Sequence, residues 1–144
     1  MSGRDWRPFG RLHTKLYQRF GGRFVDSVGL GRKVLLLTTT GRKSGQLRTT
    51  PLVYMPVGDD LIVYPSNGGK ESPPAWWLNL QTTPEATIQI RRQTRPVKAR
   101  EASSVEYTAL WPQAIQYNPH WRAYEQTVRR PIPLVILEGH SPTP

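Results

Sequence analysis

Arg42, Lys43, Ser44 and Arg48 stand in and just beyond a turn bracketed by Gly41 and Gly45, inside the stretch VLLLTTTGRKSGQLRTTPLVY of residues 34–54. A turn needs glycine, but it does not need three cations. Glycine lets the backbone take positive φ and bring N–H groups close to a ligand, while Arg adds a forked donor and Lys a point charge. That composition suits a phosphate or a carboxylate. The competing reading is a solvated hairpin turn whose cations keep it soluble, and the turn alone leaves both open. A Walker-type phosphate loop is excluded, because Arg42 and not glycine precedes Lys43.

A second stretch, PSNGGKESPPAWWLNLQ, residues 65–81, carries a different chemistry. Ser66, Asn67, Gly68, Gly69 and Lys70 form a small hydrogen-bonding loop suited to oxygen ligands. Pro73 and Pro74 stand where a helix begins, and Ala75, Trp76, Trp77, Leu78 and Leu80 make that helix short and very apolar. Adjacent tryptophans on a helix point about 100° apart. Either one of them meets a ligand, or both straddle two packing surfaces. A third group, Arg91, Arg92, Arg95, Lys98 and Arg100, is where a nucleic-acid reading would start; its alternative is a strand edge kept from aggregating by charge.

Other chemistries are excluded by composition. The chain has no cysteine, hence no disulfide framework, thiolate nucleophile, iron–sulfur cluster or Cys-ligated zinc. His13, His120 and His140 are too scattered to predict a metal site.

The elements that must position these groups can be read from hydropathy. Val34–Thr40 is a buried strand, Leu47–Met55 a second and Leu61–Tyr64 a third, entered through the turn Gly58, Asp59, Asp60. Ala86–Arg91 and Pro96–Glu101 read as a hairpin around Arg92, Gln93 and Thr94. Ser103 to Glu106 has capping-box spacing and opens a helix toward Trp111, which Pro112 is expected to kink or split. Asn118 and Pro119 start another helix with Trp121 and Tyr124 on one face. Pro131–Glu138 is a last strand. At the start, Leu12, Leu16, Phe20 and Phe24 recur every four residues, each preceded by a cation. This predicts a basic amphipathic helix to about Arg19, packed on its own domain or lying on an anionic membrane.

At 144 residues with a net charge of +10, the sequence predicts one domain and an anionic partner. Residues 1–32 read as the N-terminal helical segment and residues 33–144 as the body. No apolar run is long enough for a spanning helix and the start MSGRDWRPFG has no signal-peptide core, so a cytoplasmic protein is expected, with membrane contact restricted to the periphery. Six or so short strands joined by hairpins, with few helices, predict an antiparallel β-barrel, closed or partly open, with helices outside.

The motifs LLLTTTGRKSGQLRTTPL, IVYPSNGGKESPPAWWLNL, EATIQI, ALWPQ and IPLVILE, in that order, resemble the deazaflavin-dependent nitroreductase family, whose members use coenzyme F420. The resemblance runs from about Lys33 to Glu138. It implies an α+β, mainly β fold, a split β-barrel of about six antiparallel strands like the FMN-binding barrels, with flanking helices. It also implies an oxidoreductase that passes a hydride from the reduced coenzyme, F420H2, to a quinone, a nitroaromatic or another electron-poor acceptor.

Because that coenzyme carries a phosphodiester, a lactyl carboxylate and a glutamate tail, the resemblance assigns Arg42, Lys43, Ser44 and Arg48 to its anionic end. Thr49, Thr50, Pro51, Leu52 and Val53 match the strand beside its ring system. Tyr64, Pro65, Ser66 and Asn67 match a second coenzyme loop, and Ala75, Trp76, Trp77, Leu78 and Asn79 a short helix at the coenzyme. Ser66, Trp76, Trp121 and Tyr124 are the implied acceptor contacts, with Ser66 or Tyr124 as hydrogen-bond donor; no residue is singled out as catalytic. Members often carry Lys at the position of Asn67, which leaves two alternatives: Lys70 compensates, or the tail is bound more weakly. Some have tyrosines at the positions of Val53, Asn118 and Trp121, which leaves acceptor choice open. Monomer and homodimer are both compatible, and no nucleic acid is expected. A flavin- or nucleic-acid-binding barrel without turnover is the alternative function.

Overall fold

A computed structural model describes residues 32–139, so the helix and the membrane contact expected of the N-terminal segment lie outside the described residues. Six strands run in the order β1 (Lys33–Thr40), β2 (Leu47–Val57), β3 (Asp60–Val63), β4 (Glu85–Ile90), β5 (Gln93–Glu101) and β6 (Val135–Gly139). Three helices punctuate them: α1 (Ala75–Thr82), α2 (Ser104–Tyr117) and α3 (Pro119–Thr127). The strands pair antiparallel around a closed ring, β1-β2-β3-β6-β5-β4, with β4 returning to β1. This is the expected barrel of six antiparallel strands with helices outside.

Period-two alternation divides each strand between two apolar layers. Leu35 and Leu37 of β1, Leu61 and Val63 of β3, Ile88 of β4, Val97 and Ala99 of β5, and Val135 and Leu137 of β6 form the barrel interior, which α1 caps with Trp76, Trp77 and Leu80. The intervening residues Met55, Ile62 and Ile136 join Leu134, Tyr64, Trp121 and Val128 in an outer layer beneath α2 and α3. Each strand sandwiched this way reads as an apolar run, which is why β1 is legible as buried.

The barrel carries one local interruption. β2 pairs with β1 from Leu47 to Tyr54 but with β3 only over Met55–Val57. The stretch ahead of Met55 therefore has one edge without a ladder, and Pro51, which has no N–H to give, is tolerated beside it. Tyr64, the residues after it and α1 occupy the space next to that edge.

The C-terminal half is fastened by caps and charge. Ser103 Oγ accepts the Glu106 N–H (3.2 Å) and the Ser103 N–H donates to Glu106 Oε1 (2.8 Å), completing the expected capping box. Arg100 donates from both Nη atoms to Glu106 (2.7 Å each) and approaches Glu138 through Nε (3.2 Å). The Arg100 guanidinium, ahead of the Ser103 N–H, holds the Glu106 carboxyl down at about 2. Asn118 caps α3, accepting the His120 N–H (3.2 Å) with Pro119 in the first turn.

Helix α2 continues unsplit through the exposed Pro112. Two boundaries differ from expectation. The β4–β5 turn is tighter than read, since Gln93 already pairs with Ile90 and Arg91 takes the left-handed conformation at φ 56°. Residues 131–134 are not part of β6: Pro131 and Pro133 cannot donate to a ladder, while Ile132 and Leu134 are buried in the outer layer and the Leu134 carbonyl accepts the Ala102 N–H (2.8 Å).

Candidate active site

The unladdered edge of β2 opens onto a cavity of about 590 Å³ whose lining residues all fall between Thr39 and Asn79. Its first wall is the turn after β1. Gly41 N–H donates to the Gln46 carbonyl (2.7 Å), Gly45 N–H to the Gly41 carbonyl (2.8 Å), and Ser44 Oγ accepts the Gln46 N–H (3.1 Å). A Cβ on Gly41 would lie 2.8 Å from Ser44 Oγ and 3.0 Å from the Gln46 carbonyl, and Gly45 sits at φ 71°, so both glycines are required by the turn itself. Ser44 is thus partly spent on local structure.

The turn is tied to α1 by a single buried amide. Asn79 Oδ1 accepts both the Arg42 N–H and Arg42 Nη1 (3.1 Å each), and Asn79 Nδ2 donates to Thr39 Oγ1 (3.1 Å). Asn79 is 2% exposed, whereas Arg42, Lys43 and Arg48 are exposed at the cavity mouth. Three positive charges are therefore gathered at one end of the cavity, and one of them, Arg42, is held by a buried neutral amide. This is the arrangement of an anion site whose charges remain hydrated until a ligand arrives.

The opposite walls are less polar. Thr49, Thr50, Pro51 and Leu52 come from the open edge of β2; Pro74, Ala75 and Trp76 from the start of α1; Tyr64, Ser66, Asn67 and Gly68 from the segment following β3. Of the two tryptophans, Trp76 lines the cavity and Trp77 does not, though both are buried against the barrel interior. Both alternatives read from the sequence thus hold in part: one ring borders the cavity and both are core. A concave site with mixed apolar and cationic walls fits a flat heterocycle with an anionic tail.

The structure brings together most, not all, of the residues read from the sequence. Arg42, Lys43, Ser44, Arg48, Thr49, Thr50, Pro51, Leu52, Tyr64, Ser66, Asn67, Ala75, Trp76 and Asn79 share the cavity. Val53 is turned to the outer layer by strand alternation, and Pro65, Trp77 and Leu78 also lie outside the lining. Trp121 and Tyr124 are not over the cavity either. Trp121 is 4% exposed behind Tyr64, ring centroids 5.6 Å apart, and Tyr124 backs Gly69, where a Cβ would meet its Cδ1 at 3.3 Å. Their placement is a consequence of α3 packing on the outer layer.

Gly41 and Gly68, of the two loops read as suited to oxygen ligands, line the cavity, as do Thr39 and Pro74, which the sequence reading did not assign to a ligand. Thr39 closes a buried apolar strand, so nothing in its neighbourhood marks it; Gly68 and Pro74 are flanked by residues that the motifs do assign.

Asn67 is engaged within its own loop. Its Nδ2 donates to the Ser72 carbonyl (2.9 Å), bracing the loop, and Lys70 is exposed and outside the cavity lining. Burial, reinforced by the neighbouring Tyr107 and Glu125, pushes the Tyr64 phenol well above its usual range, so that hydroxyl stays protonated. Among the described residues no group of three or more His, Cys, Asp or Glu could hold a metal, and no helix is long and apolar enough to cross a membrane. Arg92, Arg95 and Lys98 are exposed on the β4–β5 hairpin, outside the cavity lining.

Comparison with known proteins places this site in a family. The profile of the F420H(2)-dependent quinone reductases matches residues 9–139. The chain belongs to that family. It is 33% identical over 130 residues to the F420H(2)-dependent quinone reductase Rv1261c of Mycobacterium tuberculosis, covering 88% of this chain and 87% of that protein. A solved F420-H2 dependent reductase, FDR-A, superposes with a TM-score of 0.67 at 31% identity, over 74% of this chain and 94% of the other. A second structure, described as a domain-swapped dimer, has the same TM-score and identity and covers 74% of this chain and 80% of its own. The resemblance to deazaflavin-dependent reductases read from the motifs therefore holds, and the acceptor that the family's description carries is a quinone.

Proposed function

We propose that this chain is an F420H2-dependent oxidoreductase that reduces quinones, with the coenzyme seated in the cavity beside β2. The observation that carries this reading is the polarity of the cavity: Arg42, Lys43 and Arg48 at one end, Pro51, Leu52, Ala75 and Trp76 along the rest. That pattern fits a ring system attached to an anionic tail, and family membership supplies the coenzyme's identity.

When bound, the reduced deazaflavin supplies a hydride. The chain's own residues bind and orient. Arg42, Lys43 and Arg48 neutralise the tail, with Asn79 fixing Arg42 in place. The exposed edge of β2 from Thr49 to Leu52 and the Trp76 ring form the walls for a flat ring system, where fixed orientation shortens the path to reaction. Ser66, 9% exposed on the cavity wall, is the hydroxyl placed to donate to the oxygen that gains charge. Trp121 and Tyr124 act from behind, as support for Tyr64 and the loop, and not as an acceptor lid.

Nitroaromatics are an extension of the same reading, since any electron-poor acceptor that fits beside the ring accepts a hydride. We place the enzyme in the cytoplasm as a monomer or homodimer, with the basic N-terminal segment as its contact to a quinone-bearing membrane. Deleting residues 1–25 tests that contact: unchanged liposome binding refutes it.

The central test is a fluorescence titration with the deazaflavin coenzyme, with flavin mononucleotide as control, followed by mixing the reduced complex with a soluble quinone. Saturable deazaflavin binding and quinone-dependent reoxidation are expected. Binding of the flavin alone, without turnover, would overturn the assignment in favour of a non-catalytic flavin-binding barrel.

A further inference from the structure

Arg130 lies between α3 and β6, outside the cavity lining and 60 to 65 residues in sequence from the loop residues it touches. Its guanidinium is spent on that loop. Nη2 donates to the carbonyls of Pro65 (3.2 Å), Ser66 (3.0 Å) and Lys70 (3.1 Å), and Nε donates to Lys70 again (3.2 Å). One planar fork thus gathers the two ends of the segment that carries Ser66, Asn67 and Gly68 into the cavity wall.

The loop needs such a hold. Asn67, Gly68 and Gly69 take φ values of 50°, 64° and 84°, three successive residues in the left-handed region, which a free chain does not keep. The local bonds are few: Gly69 N–H to the Ser66 carbonyl (3.0 Å), Lys70 N–H to the Asn67 carbonyl (3.2 Å), and Asn67 Nδ2 to Ser72. The next residue is strapped to the same place, since the Glu71 carboxylate accepts the Arg129 N–H (3.0 and 3.3 Å).

We propose that Arg130 is a positioning residue for the active site: it acts through the Pro65–Lys70 backbone to set the cavity wall that the coenzyme and its acceptor meet. This inference rests on the coenzyme reading of the cavity. The two donor nitrogens of the guanidinium, and not the charge alone, are what the role requires, because a lysine offers a single nitrogen and cannot add the bond that Nε makes to the Lys70 carbonyl.

The test compares Arg130→Lys and Arg130→Gln with the unaltered chain in three measurements: amide hydrogen exchange in the free protein, coenzyme titration by fluorescence, and steady-state quinone reduction. Both variants are expected to exchange faster at Gly69 and Lys70 while the barrel strands stay protected. Both are expected to bind the coenzyme roughly tenfold more weakly, in line with loss of charge-assisted hydrogen bonds, and to lose kcat as well, since Ser66 lies on the loosened wall. Unchanged exchange at Gly69 and Lys70 would overturn the clasp. Faster exchange with unchanged coenzyme affinity would overturn its link to the site. If Arg130→Lys matches the unaltered chain while Arg130→Gln does not, charge and not the fork is responsible, and the proposal fails. Failure of the unaltered chain to bind the coenzyme refutes the proposed function instead, and the exchange experiment then decides the clasp alone.

Discussion

The two rims of the cavity are both glycine-bearing loops dependent on arginine, yet they use it in opposite ways. At the Gly41 turn, the cations face the cavity and a neutral amide, Asn79, holds the turn from below. At the Ser66–Lys70 loop, neutral groups face the cavity and a cation, Arg130, holds the loop from behind. Charge serves the ligand at the first rim and the backbone at the second. A basic residue near a site in sequence is therefore poor evidence of its task; what decides is whether its donors are already occupied by the protein.

This difference can be broken most directly at the first rim. Arg42→Ala together with Lys43→Ala removes two charge-assisted partners of the coenzyme tail and is expected to weaken binding about 100-fold. Hydride transfer from the saturated enzyme should change far less, as single-turnover mixing with a quinone would show. Equal coenzyme affinity in the double variant would mean that the cations of the Gly41 turn are mere solubilisers.

Asn79→Ala removes the support and leaves the charges. It is expected to weaken coenzyme binding about tenfold and to destabilise the fold by about 1–3 kcal/mol, because the Arg42 and Thr39 bonds are lost together. A thermal melt with a Tm lowered by roughly 5 °C, read beside the titration, checks both.

Ionic strength separates the rims without mutation. The cations at the first rim are exposed, so raising salt from about 50 to 500 mM should weaken coenzyme binding severalfold. The ratio between the unaltered chain and Arg130→Lys should stay constant, since the fork binds carbonyls and not the ligand's charge.

Lys70→Ala gives the smallest binding effect, under about twofold, because its carbonyl and not its ammonium is what the structure uses. A larger loss would restore Lys70 as a tail-binding cation. As a control away from both rims, Glu106→Gln should leave coenzyme binding unchanged. Glu106 has a folded pKa of about 2, below its unfolded value near 4.3, so it adds stability above the unfolded value that is lost as pH falls toward the folded one. Acid unfolding followed between about pH 4.5 and 2 should be less steep in the variant.

Much of this architecture is legible in the amino-acid sequence. The β1 turn, the capping box at Ser103, the Pro-initiated helix carrying Trp76 and the six-strand barrel all declare themselves through local signals: periodicity, caps and glycines. What the sequence leaves hidden depends on partners far apart in the chain. Nothing near Arg130 announces that its donors reach Pro65 and Lys70. Nor does the pairing of Trp121 with Tyr124 on one helix face tell which layer that face meets, and an aromatic pair fits a lid as well as a core. Pro131 and Pro133 signal an irregular entry to the last strand but not its extent, because their missing donors move the ladder to Val135.

Every residue that lines the cavity falls between Thr39 and Asn79, while the last strand of the ring is Val135–Gly139. During synthesis the ligand-bearing part of the chain therefore emerges well before its frame can exist. At ribosomal rates, roughly 3–12 s separate Asn79 from Gly139, an interval in which the loop ahead of α1 has no Arg130 to close on and the edges of β3 and β5 have no partner. The nascent chain has its binding residues early and its binding site last.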